Sequence, residues 1–145
     1  MADILHAVEV QASAEKIYKA ITEQDGLIGW WSQHSKIEPS EGAMASVGFY
    51  GGMVTFEFSV DELDANHKVV WSLKNGPPDW LNTKITWTLT EEEGKTLVYF
   101  AHTGFANMEG NFAGVNYNWG WYLTSLKFYI EKGAGTPHTD ADLPS

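Results

Sequence analysis

From residue 54 to residue 100 the sequence keeps returning to one pattern. In "VTFEFSVD", Val54, Phe56, Phe58 and Val60 alternate with Thr55, Glu57, Ser59 and Asp61. Val69, Trp71 and Leu73 repeat the alternation after the "DANH" turn. Ile85, Trp87 and Leu89 do so after "GPP", with Thr86, Thr88 and Thr90 facing away. A period of two gives each strand one apolar face and one wet face. The turns between these runs, including "EEEGK" ahead of the long "TLVYFAHTGF", are too short for crossover helices. The segments are therefore predicted to form an antiparallel meander. A sheet that is apolar on one side needs a cover.

The remaining sequence supplies one. From Met108 to Lys132 the period changes: Phe112, Val115, Trp119, Tyr122, Leu126 and Tyr129 recur every three or four residues, and "EKGAGTP" closes the run with glycine and then proline. This predicts a long amphipathic helix over 109–132. Upstream, "ILHAVEV" (4–10) reads as an opening strand. "SAEKIYKAI" reads as a short helix with Ser13 as N-cap, Lys16 where a capping-box glutamate would sit, and Ile17, Ala20 and Ile21 on one face. "EQDGLIGWW" adds a second brief helical turn ending in Trp30 and Trp31, with His34 expected in the following loop. The fold class is α+β: a curved antiparallel sheet around a long C-terminal helix, with two short helices near the N-terminus. The 145 residues read as one domain over 1–136 and a flexible polar tail over 137–145.

Charge and missing residue types exclude whole functions. Nine basic residues, all lysine, stand against 19 acidic ones, a net charge of -10. Such a chain lacks the cationic footprint that displaces counterions from a phosphate backbone, so no nucleic-acid partner is expected. Without arginine it also lacks the bidentate clamp for phosphate or carboxylate. There is no cysteine, hence no disulfide, thiolate metal site or cysteine nucleophile. No apolar run suits a membrane span and the start lacks signal-peptide character, which makes a cytoplasmic location the expectation. His6, His34, His67, His102 and His138 show no metal-ligand spacing, and no phosphate loop, dinucleotide fingerprint or Gly-x-Ser-x-Gly elbow occurs. No metal and no cofactor are expected.

Four segments carry a resemblance: "AEKIYKAITEQDGLIGWW", "GPPDWLNTKITWTL", "TLVYFAHTGF" and "NWGWYLTSLKFYIEKGAGTP". Over about residues 4–137 they resemble the helix-grip, START-like (SRPBCC) superfamily, and within it the activator of heat-shock-protein ATPase homologue-like domains, also described as polyketide cyclase-like. The resemblance implies a cavity between the long helix and the concave sheet. It is specific for fold and weak for function, since one scaffold carries binding, enzymatic and co-chaperone roles.

With a cavity implied, the aromatic residues become its candidate lining. Trp80 follows directly on the Gly-Pro-Pro-Asp turn, where an indole either caps the open end of the cavity or plugs the core. Of Trp30 and Trp31, one is expected to point in and one out. Trp71 and Trp87 lie on apolar strand faces as core or cavity wall, and Trp119 and Tyr122 lie on the helix stripe near its N-terminal half. His102 shares a strand face with Thr96, Val98 and Phe100. It is read either as a structurally satisfied imidazole or as a hydrogen-bond partner or general base. The amides of Asn111, Asn116 and Asn118, near the helix start, are expected on the surface. The expected ligand-binding set is thus Trp30, Trp31, Trp71, Trp80, Trp87, His102, Trp119 and Tyr122, with no catalytic pair visible. Three functions compete. The first is binding of a small, largely apolar or aromatic molecule. The second is a cyclase or aromatase-like enzyme, which needs His102, Tyr99 or Tyr122 aimed inward. The third is a stress-response co-chaperone role, which needs an exposed apolar patch. A homodimer is compatible with all three.

Overall fold

The computed structural model describes residues 1–140. Its elements run β1 (Ala2–Val10), α1 (Ala14–Thr22), α2 (Gln24–Trp30), β2 (His34–Lys36), β3 (Met44–Phe49), β4 (Val54–Asp64), β5 (Lys68–Asn75), β6 (Lys84–Glu92), β7 (Lys95–Phe105) and α3 (Phe112–Lys132). The seven strands form one antiparallel sheet in the order β1-β7-β6-β5-β4-β3-β2. The predicted meander is present, and β1 returns to pair with its last strand. Register shifts in β4, between Glu57 and Phe58 and between Val60 and Glu62, are bulges of the kind that bend a strand. They lie in the curved sheet that receives the helix.

β1 and β2 lie at opposite edges, so α1 and α2 must carry the chain across the whole sheet. The connection is tight because of two glycines. A Cβ on Gly26 would lie 2.3 Å from the Ala20 carbonyl oxygen, and one on Gly29 would lie 2.2 Å from the Tyr129 ring of α3. Ser13 caps α1 as expected, accepting the Lys16 N–H at 3.4 Å. At the other end, the orphan Ala20 carbonyl accepts the Trp30 Nε1–H at 2.8 Å. The indole that ends α2 therefore seals the end of α1. α3 ends on Gly133 in the left-handed conformation (φ 83°), whose N–H returns to Tyr129 O.

Two details depart from the sequence reading. His34 lies in the short edge strand β2, not in a loop. Of the flexible tail expected over 137–145, residues 137–140 are packed down, and 141–145 lie outside the described residues. His138 is buried. Its N–H donates to Trp31 O at 2.9 Å, its carbonyl accepts from Gln33 N at 2.8 Å, and its Nε2 accepts the Tyr50 N–H at 2.8 Å. Backbone pairing beside β2 holds a segment whose composition alone reads as solvent-exposed. Among the described residues, no helix is long and apolar enough to cross a membrane.

Candidate functional site

The sheet draws away from α3 until, near β3 and β4, the two no longer meet. A cavity of about 200 Å³ remains there. Each wall comes from a different element. Trp31 stands at the end of α2, Phe49 and Tyr50 where β3 turns, Val54 and Phe56 on β4, and Val115, Asn118, Trp119 and Tyr122 on α3. Trp80 closes the ring from a short turn, Pro78–Trp80. The mouth lies at Tyr50 and Asn118, which are both exposed. Tyr50 takes a left-handed backbone (φ 55°) ahead of Gly51 and Gly52, so the chain reverses there and leaves the aromatic pair at the rim.

Trp80 is both packing and lining. Pro77 and Pro78 start a turn in which the Trp80 N–H bonds Pro77 O at 2.9 Å, and the indole swings inward. It stacks on Phe56 at 4.0 Å, stands edge-on to His102 at 4.6 Å, and is only 7% exposed while facing the cavity.

Of the eight expected site residues, Trp31, Trp80, Trp119 and Tyr122 border this cavity. Trp30, Trp71, Trp87 and His102 stand behind it, fully buried. The expectation that Trp30 and Trp31 would point opposite ways does not hold, since both are buried. Trp30 turns back to cap α1, and Trp31 lies parallel to Trp30 at 5.5 Å and to Trp71 at 5.9 Å. Trp71 and Trp87 meet at 69°, and their buried indole N–H groups have no oxygen or nitrogen partner. In such inclined pairs electropositive ring edges meet π faces, which partly compensates an unbonded N–H.

His102 has a definite tautomer. The Trp119 indole can only donate, and its Nε1–H points to His102 Nδ1 at 3.1 Å, so Nδ1 carries the lone pair. The proton is therefore on Nε2, which donates to Thr83 Oγ1 at 2.8 Å. Thr83 in turn donates to the Trp80 carbonyl. Burial pushes the imidazole down to about 3, which keeps it neutral. The chain Trp119–His102–Thr83–Trp80 thus locks two cavity walls to β6 and β7. Both ring nitrogens are occupied, so the imidazole positions the walls and presents no free base to the cavity.

Tyr99 lies 51% exposed on the outer face of the sheet. Asn111 and Asn116 are exposed as expected, whereas Asn118, also exposed, reaches the mouth. The sequence reading missed Phe49 and Tyr50. Their signal was an aromatic pair followed by two glycines in "GFYGGM". It also missed Ser125, a fully buried hydroxyl that donates to the Trp30 carbonyl and accepts the Thr136 N–H. Among the described residues, no group of three or more His, Asp or Glu is placed to hold a metal.

The fold, a long helix over a curved antiparallel sheet, recurs in known proteins. The solution structure of the Aha1 dimer from Colwellia psychrerythraea aligns with a TM-score of 0.84 and 34% identity, covering 93% of this chain and 100% of that one. Protein SSP2350 from Staphylococcus saprophyticus aligns at 0.78 and 18% identity, covering 95% and 98%. DynU16, from the dynemicin biosynthetic locus, aligns at 0.76 and 23% identity, covering 92% of this chain and 48% of that one. The last two likenesses concern the fold. No curated protein matches the sequence. The family described as Activator of Hsp90 ATPase homolog 1-like protein matches residues 11–131, and this chain belongs to it.

Proposed function

We propose that the protein binds a small, largely apolar molecule in the cavity between α3 and the sheet. The observation that carries this reading is an enclosure of about 200 Å³ in which seven of ten lining residues are aromatic. An apolar protein cavity of about 150 Å³ accepts benzene, whereas drug-sized pockets start near 300 Å³, so the expected ligand is one ring or one compact head group. The cyclase-like alternative is weaker, because His102 is engaged at both nitrogens and Tyr99 faces away. Tyr122 alone of its three candidates borders the cavity. Titration with single-ring and compact ligands, followed by tryptophan fluorescence, tests the reading. Binding that disappears in Val115→Phe, which fills the cavity from α3, supports it. If no ligand perturbs the fluorescence, and native mass spectrometry finds no retained small molecule, the reading is refuted.

A second partner is supported by the outer face of α3. Gly114, Tyr117, Trp121, Thr124 and Phe128 follow one another at alternate spacings of three and four, and all are exposed, Tyr117 by 71% and Trp121 by 53%. The stripe contains no acidic residue in a chain of net charge -10. It is therefore a surface that sets no acidic side chains against each other when two such chains meet, with the spacing of a helix-pairing seam. The Colwellia relative is described as a dimer. We propose that two copies pair through this stripe, in preference to a co-chaperone contact with a different protein. Light scattering should give a dimer mass that falls to the monomer in Trp121→Glu. A monomer at all concentrations for the unaltered protein would overturn the pairing.

A further inference from the structure

We infer that the cavity is built for an organic cation, specifically a methylated ammonium head group. This inference rests on the small-ligand reading above and narrows its chemistry. Three observations carry it. First, the lining holds rings and no charge: none of the ten residues is Lys, Asp or Glu. An anionic ligand would find no counter-ion there. A cation with a hydrophobic shell finds the negative π faces that attract it.

Second, neighbouring rings of the lining are steeply inclined to one another. Trp31 and Phe49 are inclined at 63°, Phe49 and Phe56 at 76°, Phe49 and Tyr122 at 52°, and Trp31 and Trp119 at 42°. A flat aromatic ligand is held best in a slot between two parallel faces. The most nearly parallel contacting pair in the lining, Phe56 and Trp80 at 27°, is already closed at 4.0 Å and offers no slot. Walls turned to one another at large angles suit a compact, near-spherical group.

Third, the whole molecule favours positive ligands. With a net charge of -10 and no arginine, its field concentrates cations at its surface. Asn118 at the mouth adds a neutral amide that can orient a polar substituent beyond the head group.

Choline and its uncharged isostere 3,3-dimethyl-1-butanol have nearly the same shape and differ in charge, and phenol serves as a flat neutral probe. All three are titrated into the intact protein at low salt, with tryptophan fluorescence and calorimetry as readouts. Choline is expected to bind at least tenfold more tightly than its isostere. That preference should survive in Tyr122→Phe, which keeps the ring, and shrink in Tyr122→Leu, which keeps the bulk and removes the π face. Equal binding of choline and the isostere, or binding of phenol alone, overturns the cation inference and leaves the small-ligand reading standing. No response to any of the three overturns the cation inference, and the small-ligand reading falls with it if native mass spectrometry also finds no retained small molecule.

Discussion

Acid should destabilise this protein through His102. The imidazole is fully buried, and burial holds it down to about 3. In the unfolded chain it returns to about 6.5. Between those values the unfolded chain binds a proton that the native protein refuses, so stability rises with pH across the window and is lost as pH falls below about 6.5. One proton corresponds to about 1.4 kcal/mol per pH unit, so going from about pH 6.5 to about pH 5 should cost about 2 kcal/mol. The full window down to about 3 sets a ceiling of about 5 kcal/mol. Geometry points the same way: a proton on Nδ1 would set an N–H against the Trp119 N–H, 3.1 Å away between nitrogens. The assay is urea unfolding at a series of pH values, on the parent and on His102→Gln. At neutral pH the variant should lose roughly 1–3 kcal/mol, because one amide cannot reproduce both imidazole hydrogen bonds, to Trp119 and to Thr83. Its stability should then fall less steeply towards pH 5, by about one proton's worth. Every other residue is shared by the two proteins, so the comparison isolates position 102. Equal slopes for parent and variant would refute the reasoning.

Gly26→Ala should cost roughly 1–3 kcal/mol in thermal unfolding, since the added methyl meets the Ala20 main chain at 2.3 Å and the two helices must separate. His138→Ala should expose the Tyr50 N–H, speed its hydrogen exchange and cost about 1–3 kcal/mol; an unchanged exchange rate would mean that the C-terminal segment does not hold the cavity rim. Trp119→Ala should lower stability by about 3–5 kcal/mol and also abolish ligand-induced fluorescence changes, because this indole is both 2% exposed core and cavity wall. Gel-shift titration at moderate salt should find no salt-sensitive affinity for DNA or RNA, as a net charge of -10 requires.

The elements themselves were legible in the sequence, because local periodicity is a local property. Alternation in "VTFEFSVD" and three-four spacing from Phe112 to Tyr129 each dictate which face of a segment seeks the interior, whatever its neighbours are. Ser13 and Gly133 marked a helix start and a helix end for the same reason. The strand His34–Lys36 and the docked residues 137–140 were not legible. They are held by hydrogen bonds to distant main chain, and a main-chain partner leaves no mark on side-chain composition. The cavity is the sharpest case. Trp71, Trp80, Trp87 and Trp119 look alike as buried aromatics, and the sequence named all of them as candidate lining while leaving core packing open for Trp71, Trp80 and Trp87. Tertiary packing divided them. Trp71 and Trp87 pack into the indole cluster where the sheet meets α2, while Trp80 and Trp119 stand where the sheet draws away from α3. Periodicity states that a side chain is inside. Whether inside means against another ring or against empty space depends on the separation of two elements far apart in sequence, and only the folded chain decides that distance.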